Sequence, residues 1–464
     1  MTPEAMTTGA APAVAQASVD KYARHVNPSF IRLLGVLGYG RVFERAEDVW
    51  LWDSAGRRYL DALAGFGSVN VGHNHPRLVA RLKSLLESEP VHFLHVGPQP
   101  LAADLAERLA ALTGLDVALL STSGAEAVEA AMKLARAATG RPGFVSCHGS
   151  FHGLSLGTLS VMGSTRMRAP FEPLLAGCSQ VPFGDLAALE RALSSRKVAA
   201  FLVEPVQAEG GVLVPPPGFL REAQELCRRH GSLLVLDEVQ TGLGRLGTLF
   251  AFQAEGFVPD VLVLAKSLGG GIASTAATVT RRDLHRKAFG STRRFDLHGS
   301  TFAGSAMSCA AALETLAVLE DERLADAAAA RGSHLLAGLA RRLAGHPFVR
   351  AVRGRGLLVG IELGPTGAGW VSRAAPFLVR ELARSVFGQW AALRLLEEGI
   401  VAQPASQQWN VLRLEPPLTI ADREIDTLVE ATGAVLDDYR SLGPLVRDVG
   451  RRLRVQRRRR GAFP

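Results

Sequence analysis

The middle of the chain alternates between short apolar runs and longer segments with helical spacing. Between residues 100 and 330, five apolar runs are bounded by polar or turn-forming residues: GFVSCH, AAFLVEP, SLLVLDEV, DVLVLAK and AATVT. Continuous apolar runs are typical of strands that are buried on both faces, and intervening helices are typical of a mainly parallel sheet. The pattern therefore predicts an α/β domain whose sheet is covered by helices on both sides.

Both ends of the chain show a different pattern. From Val42, the segment VFERAEDVWLWDSAGRRYLDALAG alternates like two strands around a turn, and after residue 345 the segment VRAVRGRGLLVGIEL reads as a strand pair. These segments predict a smaller α+β domain that is built from both ends. The expected divisions are a disordered N-terminus over 1–18, small-domain residues 19–85, a large domain over 86–344, small-domain residues 345–446 and an arginine-rich tail over 447–464.

The charge of the chain is concentrated in that tail. The net charge is +8, but residues 447–460 hold eight arginines and one aspartate, which leaves only +1 for the remainder. Such a run is more typical of a solvated terminus than of a nucleic-acid site, although contact with an acidic partner or RNA stays open. The four cysteines are widely spaced, and no signal peptide or long apolar run is evident. We expect a cytoplasmic protein without a membrane span.

The chemistry concentrates where the predicted strands end. The run SLLVLDEV ends at Asp237, and DVLVLAK ends at Lys266 followed by three glycines. A buried aspartate is costly unless a cation meets it. A lysine at the mouth of a buried strand either extends its amine to solvent or is desolvated, and desolvation makes the amine a usable nucleophile. The carboxyl ends of parallel strands form the ligand-binding edge of such sheets.

Two further segments carry polar or flat side chains at this edge. STSGAEAVEAAMKLARAATG opens a helix at Ser123, Gly124 and Ala125, whose free amides suit a phosphate. A capping box between Ser123 and the glutamate three residues later is an equally compatible interpretation. CHGSFHGLSLG places Phe151 and His152 after a strand, where a flat ring can pack in the core or stack on a planar ligand.

One ligand satisfies all of these features. A phosphate site, a stacking ring, a reactive lysine and an aspartate without a cation together indicate pyridoxal 5′-phosphate (PLP). Its aldehyde forms a Schiff base with a lysine, and its protonated ring nitrogen is a cation that Asp237 can meet. That pairing keeps the ring able to accept electrons from the substrate.

At these residues the sequence resembles the class III PLP-dependent aminotransferases of fold type I. The resemblance extends from Tyr22 to Arg440. It includes the motifs DALAGFGSVNVGHNHP, STSGAEAVEAAMKLAR, FHG, EPVQAEGG, LDEVQTGLGRLG, LAKSLGGG, HGSTFAG and LRLEPPL. Several motifs in the right order are far more specific than any one of them. Within the class, the sequence is most similar to the putrescine and ornithine aminotransferases. The resemblance implies a mainly parallel seven-stranded sheet between helices, with a smaller domain from both chain ends.

The resemblance also assigns roles to individual residues. Lys266 would hold PLP and move the substrate proton, Asp237 would meet the ring nitrogen, and Glu204 would lie close to the lysine and the cofactor. Cofactor contacts are expected from Ser123, Gly124, Ala125, Phe151, His152, Gln240 and, from the neighbouring subunit, Thr301. Arg413 would bind the carboxylate of glutamate or 2-oxoglutarate. Glu209 would pair with that arginine when an amine binds, and Phe66 would contact the substrate. A shared site implies an obligate homodimer.

Several features of the sequence leave alternatives open. The family commonly has Gly-Asn-Pro after the Thr-Phe pair, where this chain has Gly304-Ser305-Ala306, and segment 364–409 is longer than in the putrescine type. That longer segment holds Trp370, Trp390 and Trp409, which are either core residues or part of an enlarged substrate entrance. The sequence predicts a ping-pong transaminase for an ω-amine, diamine or amino acid, or for amination of an aldehyde.

Three other functions remain compatible with the sequence. A racemase, mutase or decarboxylase uses the same scaffold, although Arg413 and Glu209 favour a dicarboxylic co-substrate. A carrier-bound or long acyl aldehyde would need the enlarged entrance in 364–409. A non-catalytic binding protein would depend on the arginine-rich tail.

Overall fold

The computed structural model describes residues 10–37, 40–93, 96–364 and 387–441, together with 444, 447 and 448. Within these residues the chain forms fifteen strands. In chain order they are β1 (Phe43–Glu47), β2 (Trp50–Asp53), β3 (Arg58–Asp61), β4 (Val117–Ser121), β5 (Gly143–Cys147), β6 (Cys178–Val181), β7 (Val198–Val203), β8 (Leu233–Asp237), β9 (Val261–Leu264), β10 (Ala276–Thr280), β11 (Val349–Arg355), β12 (Leu358–Leu363), β13 (Ile400–Val401), β14 (Gln403–Ala405) and β15 (Gln408–Leu414).

Helices occupy most of the segments between these strands. The longer helices are Ala10–His25, Pro28–Leu37, Pro76–Glu87, Pro100–Thr113, Gly124–Thr139, Leu186–Leu193, Phe219–His230, Arg282–Phe289, Ala306–Asp321, Leu324–Arg342, Gly388–Glu397 and Asp422–Asp437. Short helical turns are Ala64–Gly67, Leu156–Ser160, Thr165–Arg168, Ala169–Phe171, Ala251–Glu255 and Lys266–Gly269. No helix among the described residues is long and apolar enough to cross a bilayer.

The large sheet has seven strands in the order β4-β10-β9-β8-β7-β5-β6. Only β10 runs against its neighbours, and the other adjacent pairs are parallel. All five apolar runs of the sequence form strands of this sheet. The expected α/β architecture with a mainly parallel seven-stranded sheet is confirmed.

Alternate residues of each central strand enter different cores, because side chains of a strand point to opposite faces. Leu234 and Leu236 of β8 belong to one core, with helices Leu186–Leu193 and Phe219–His230. Val235 of the same strand belongs to the other core. Helices Gly124–Thr139 and Arg282–Phe289 line this second core. Burial on both faces explains why the strands read as continuous apolar runs.

Two smaller sheets join the ends of the chain. One has the order β1-β2-β3-β13, and its last pair is parallel, with Ile400 beside Leu60. The other has the order β11-β12-β15-β14. A strand from the C-terminal part thus completes an N-terminal sheet, as the small-domain hypothesis expects. The exact domain boundaries at 85/86 and 344/345 stay predictions.

The structure differs from the sequence expectations at the N-terminal end. Residues 10–18, for which composition predicts disorder, lie in helix Ala10–His25, and the segment after Val42 forms three strands rather than two. An alanine-rich composition also suits a helix, because alanine loses the least side-chain entropy there. Residues 1–9 and 365–386 (including Trp370) and almost all of the arginine-rich tail lie outside the described residues.

Candidate active site

A cavity opens at the carboxyl ends of the central strands. Asp237 is the last residue of β8, and Lys266 follows the end of β9 after one further residue. The strands β8 and β9 pair in parallel, with Asp237 beside Val263, so both residues lie at the same edge of the sheet. Lys266 shares the cavity with Thr122 and Ser123. The remaining lining residues are Ser68, Gly271, Ile272, Ala273, Ser274 and Thr275. Parallel pairing therefore brings together the two strand-end residues that the sequence singles out.

The backbone of Lys266 is held in an uncommon conformation. Its φ of 49° lies in the left-handed region, which costs a non-glycine residue about 1–3 kcal/mol. The lysine begins the short turn Lys266–Gly269, and its Nζ donates to Oε1 of Gln240. Burial lowers the pKa of Lys266, while Glu415 and Glu209 oppose that shift. The amine is thus directed into the cavity, and burial shifts its pKa in the direction that a nucleophilic amine requires.

Asp237 is held by two hydrogen bonds. Its Oδ2 lies 2.8 Å from Nδ1 of His152, and its Oδ1 accepts the Val239 amide at 3.0 Å. Both Asp237 and His152 are buried. Nε2 of His152 has no hydrogen-bond partner within the described part of the chain. The imidazole therefore orients the carboxylate, and the stacking of Phe151 on a planar ligand stays a prediction.

The helix Gly124–Thr139 presents its N-terminus to the cavity. Ser123 is the N-cap, and its Oγ accepts the Glu126 amide at 3.2 Å. Oε2 of Glu126 accepts from the amide and hydroxyl of Thr122 at 2.8 and 2.7 Å. The cap and the anion-site interpretations are therefore compatible, because neither bond uses the amides of Gly124 and Ala125. Amides in the first turn have no partner within their helix and attract anions.

Glu204 lies between the loop after β5 and the other carboxylates of the site. Its Oε1 accepts the Phe151 amide at 2.9 Å. Burial, followed by repulsion from Asp237, raises the pKa of Glu204 well above its ordinary value. The Phe151 amide and Lys266 only partly offset that rise. Glu204 is thus favoured in its neutral form.

Arg413 and Glu209 form a buried ion pair. Arg413 Nη1 donates to Oε1 of Glu209, and the second Glu209 oxygen accepts the Ser406 amide at 2.9 Å. Burial opposes ionisation of Glu209, but Arg413 and Lys266 outweigh it and lower the pKa of Glu209 to about 2. Nη2 of Arg413 is buried and has no hydrogen-bond partner among the described residues. It remains able to bind a carboxylate.

Phe66 reaches the same arginine from the N-terminal part of the chain. The guanidinium carbon of Arg413 lies 5.1 Å from the centre of the Phe66 ring. Phe66 belongs to Ala64–Gly67, a left-handed turn in which all four φ angles are positive. Its side chain is 42% exposed, so one part of the ring faces solvent at the entrance. The proposed substrate contacts Phe66, Arg413 and Glu209 therefore form one group.

Thr301 lies apart from this group. It is exposed in the loop before helix Ala306–Asp321 and is not among the residues that line the cavity around Lys266. That Thr301 serves a neighbouring subunit stays a prediction. Segment 364–409 has two tryptophans besides Trp370: Trp390 is buried in the core, and Trp409 is 42% exposed.

Sequence reasoning missed a second group of charged residues beneath Arg413. Glu415 is fully buried, and its Oε2 lies 3.6 Å from Nε of Arg413 and accepts from Gln240 Nε2 at 2.9 Å. Its Oε1 lies 3.9 Å from Nε of the buried Arg245. The two-residue spacing between Arg413 and Glu415, typical of one strand face, was the only available signal for Glu415. Nothing in the sequence indicates that Arg245 is buried.

A family model decides the identity of the chain. The model for class III aminotransferases matches residues 37–436. The chain belongs to the class III aminotransferases.

Relatives of this aminotransferase agree with that assignment. The aminotransferase PigE of Serratia sp. is 38% identical over 91% of this chain and 53% of its own length, so the chain spans about half of that curated relative. Among solved structures, the ornithine aminotransferase of Toxoplasma gondii is 34% identical, with a TM-score of 0.77 over 86% of this chain and 90% of that one. The acetylornithine aminotransferase of Elizabethkingia anophelis is 30% identical, with a TM-score of 0.70 over 86% and 94%.

The residues of this aminotransferase fit the cofactor of its class, which is PLP. One structure of the Toxoplasma gondii enzyme has PLP at partial occupancy in its active site. In the present chain, a Cβ on Gly153 would lie 2.9 Å from that of Ala125, and a Cβ on Gly124 would lie 3.1 Å from the Val239 side chain. Glycines thus let the loop and the helix N-terminus approach closely enough to present backbone amides to a phosphate.

Proposed function

We propose that this aminotransferase moves an amino group between a primary amine or ω-amino group and 2-oxoglutarate in a ping-pong cycle. The observation that carries the proposal is the buried pair of Arg413 and Glu209, with Nη2 of the arginine unpartnered. A removable carboxylate beside an arginine suits a site that accepts both a dicarboxylate and an amine. Amination of an aldehyde is the same cycle in reverse.

In this proposal the residues around Lys266 bind PLP and move protons. PLP supplies an electron sink for the substrate carbon. Lys266 Nζ would hold the cofactor covalently, then take the substrate proton and return it to the neighbouring carbon. Asp237, oriented by His152, would hold the ring nitrogen protonated. The donors and the flat ring would come from Ser123, Gly124, Ala125, Gln240 and Phe151. Neutral Glu204 would add no further negative charge beside Asp237.

Substrate specificity would depend on Arg413, Glu209 and Phe66. A dicarboxylate would take the place of Glu209 on Arg413, because an arginine can bind a carboxylate with two parallel hydrogen bonds. Glu209 would then keep the Ser406 amide as a partner. When an amine without a nearby carboxylate binds, Glu209 would return to Arg413 and prevent an unpaired buried charge. Phe66 would limit the width of the site at this point.

A second copy of the chain would complete each site. Large apolar side chains are exposed on the surface around Thr301, where Phe93 and Phe302 are 42% and 61% exposed and their ring centres lie 4.9 Å apart. Val96 is 92% exposed and Phe295 is 70% exposed. Exposed apolar groups of this kind favour burial against another protein surface. We propose a homodimer in which Thr301 of one protomer contacts the phosphate in the other.

Donor profiling tests the proposed reaction. Purified holoenzyme would be incubated with ω-amino acids, diamines and alkyl amines against 2-oxoglutarate or pyruvate, and glutamate or alanine would be measured. Conversion with 2-oxoglutarate supports the proposal, and conversion with pyruvate alone contradicts the role of Arg413. Long acyl aldehydes, free or attached to a carrier, form the comparison arm, since the exposed Trp409 donates to the carbonyl of Ser406, whose amide donates to Glu209. If glutamate does not convert the bound cofactor to its amine form, a racemase, mutase or decarboxylase becomes the better assignment.

A further inference from the structure

The carboxylates of Glu415 and Glu209 lie against different nitrogens of Arg413. Glu209 meets Nη1 of the arginine, whereas Glu415 faces Nε at 3.6 Å. The side chains of Arg413 and Glu415 are fully buried, and Glu209 is 8% exposed. Arg413 thus has two carboxylate neighbours, of which only one borders the accessible part of the site.

Glu415 is also fixed in place, unlike a carboxylate that can be exchanged. Its Oε2 accepts from Gln240 Nε2 at 2.9 Å, and its backbone amide donates to the Ala62 carbonyl at 2.8 Å. Gly67 packs against it so closely that a Cβ there would lie 2.3 Å from Glu415 Oε1. That oxygen has no hydrogen-bond partner among the described residues. A second cation beside this carboxylate is the buried Arg245, whose Nε lies 3.9 Å from Oε1, and the close approach of Gly67 leaves Glu415 no space to turn away from Arg413.

A fixed negative charge beside the carboxylate-binding arginine changes what the site prefers. A dicarboxylate that binds Arg413 meets the repulsion of Glu415 within a few ångströms, in a buried region where screening by water is weak. A cationic amine donor gains from the same charge. Glu415 offsets part of the positive charge that Arg413 and the buried Arg245 bring to this region, so Arg413 attracts acids less strongly than it would beside a neutral residue.

We propose that Glu415 is a specificity-determining residue that weakens dicarboxylate binding at Arg413 and favours cationic amine donors. The inference rests on the proposed role of Arg413 as the carboxylate-binding residue. In this proposal Glu209 is the exchangeable partner of Arg413, and Glu415 is its permanent partner. Because Glu415 also receives Gln240 Nε2, it directs Oε1 of that glutamine to Lys266. Glu415 therefore links the substrate-binding group to the cofactor-binding group.

The test is equilibrium binding of glutarate to the holoenzyme by calorimetry. Glutarate is a five-carbon dicarboxylate without an amino or keto group, so it binds without turnover. E415Q keeps the shape of the side chain and one acceptor for Gln240 but removes the charge. We expect glutarate to bind E415Q about tenfold more tightly than it binds the wild type. E362Q is the matched control, because Glu362 pairs with Arg353 in the same sheet, outside the site; its affinity should equal that of the wild type.

The kinetics of the two half-reactions provide a second test, because the proposal predicts the direction in which each KM changes. In E415Q the KM for glutamate should fall, and the KM for a short diamine should rise. E415A also removes the contact with Gln240. In this variant, too, the KM for glutamate should fall and the KM for the diamine should rise. Unchanged or weaker glutarate binding in E415Q, or a rise of both KM values, would overturn the proposal, because a purely structural residue harms both substrates alike. If the wild type binds glutarate but transfers no amino group to 2-oxoglutarate, the proposed function fails while the glutarate comparison still decides the role of Glu415.

Discussion

Nδ1 of His152 lies 2.8 Å from Oδ2 of Asp237, in a position that is closed to solvent. The loop after β5 thereby supports the end of β8, and the carboxylate has a fixed direction before any cofactor binds. Each carboxylate oxygen of Asp237 has one such contact and keeps a further lone pair for a cation. This relationship explains the presence of an aspartate at the end of an apolar strand.

The first prediction concerns the charge of Asp237. Asp237→Asn should still bind PLP but lose turnover about 100-fold or more, because an amide does not hold the ring nitrogen protonated. His152→Ala should lose less, since the Val239 amide still orients the carboxylate. Single-turnover rates with a saturating amine, together with the cofactor content of each variant, measure both effects. An undiminished rate in Asp237→Asn would remove the proposed role of the aspartate.

The second prediction concerns the covalent link at Lys266. Lys266→Ala should lose the long-wavelength absorbance of the lysine-bound cofactor and nearly all turnover, because no other amine lines the described cavity. Lys266→Arg is the control that retains the positive charge but cannot form the Schiff base. Borohydride reduction followed by peptide mass spectrometry locates the attachment. Label on another residue, or transamination by the alanine variant, is the result that contradicts this role.

The third prediction separates the two half-reactions. Arg413→Ala should raise the KM for 2-oxoglutarate about 100-fold while the amine half-reaction changes much less, because only the keto acid requires the guanidinium. Arg413→Lys keeps the charge but lacks the paired donors, so it should recover only part of the loss. Rates of each half-reaction, followed through the cofactor spectrum, provide the measurement. Equal damage to both halves would mean that the carboxylate binds elsewhere.

The fourth prediction concerns pH-dependent stability through Glu238. This fully buried carboxyl accepts from the amides of Ala251 and Phe252 at 2.7 and 3.1 Å, and burial raises its pKa to about 7 from 4.5. Because the folded state binds the proton more tightly, the wild type should lose about 3 kcal/mol of stability as the pH rises from 4.5 to 7. Above pH 7 this contribution should stay constant.

Glu238→Gln tests this contribution, because it removes the titrating proton. Urea unfolding at several pH values measures the free energy of unfolding of each protein. The difference between wild type and Glu238→Gln should vary with pH in that range. Glu255→Gln, at the end of the short helix whose first two amides donate to Glu238, should parallel the wild type. A pH-independent difference for Glu238→Gln would show that this carboxyl does not titrate near neutral pH.

The fifth prediction tests the shared site. Lys266→Ala and Thr301→Ala would each be inactive or impaired alone, and mixing them under exchange conditions should restore about a quarter of the wild-type activity. Restoration arises because one site of each mixed dimer holds both intact residues. Light scattering of the wild type gives the oligomeric state. If Thr301 acts within its own chain, every site of a mixed dimer carries one defect and no activity returns.

The strand pattern made the large domain predictable before any coordinates. Apolar runs such as that ending at Asp237 have only one stable environment, a sheet with helices on both faces, and parallel pairing then places Asp237 near Lys266. The helix N-terminus at Ser123 was equally readable, because its capping chemistry is local. The N-terminal segment was not, since an alanine-rich stretch suits both a helix and a disordered chain.

The sequence by itself determined the elements, the lysine, the aspartate and the helix N-terminus at Ser123, because local patterns and strand ends control them. Only the tertiary structure decided that Glu415, Arg245 and Gln240 meet beneath Arg413. Gln240 and Glu415 lie 175 positions apart along the chain, and their contact depends on how β15 packs against the loop after β8. Charge pairing in a buried region follows three-dimensional distance, which residue spacing alone does not contain.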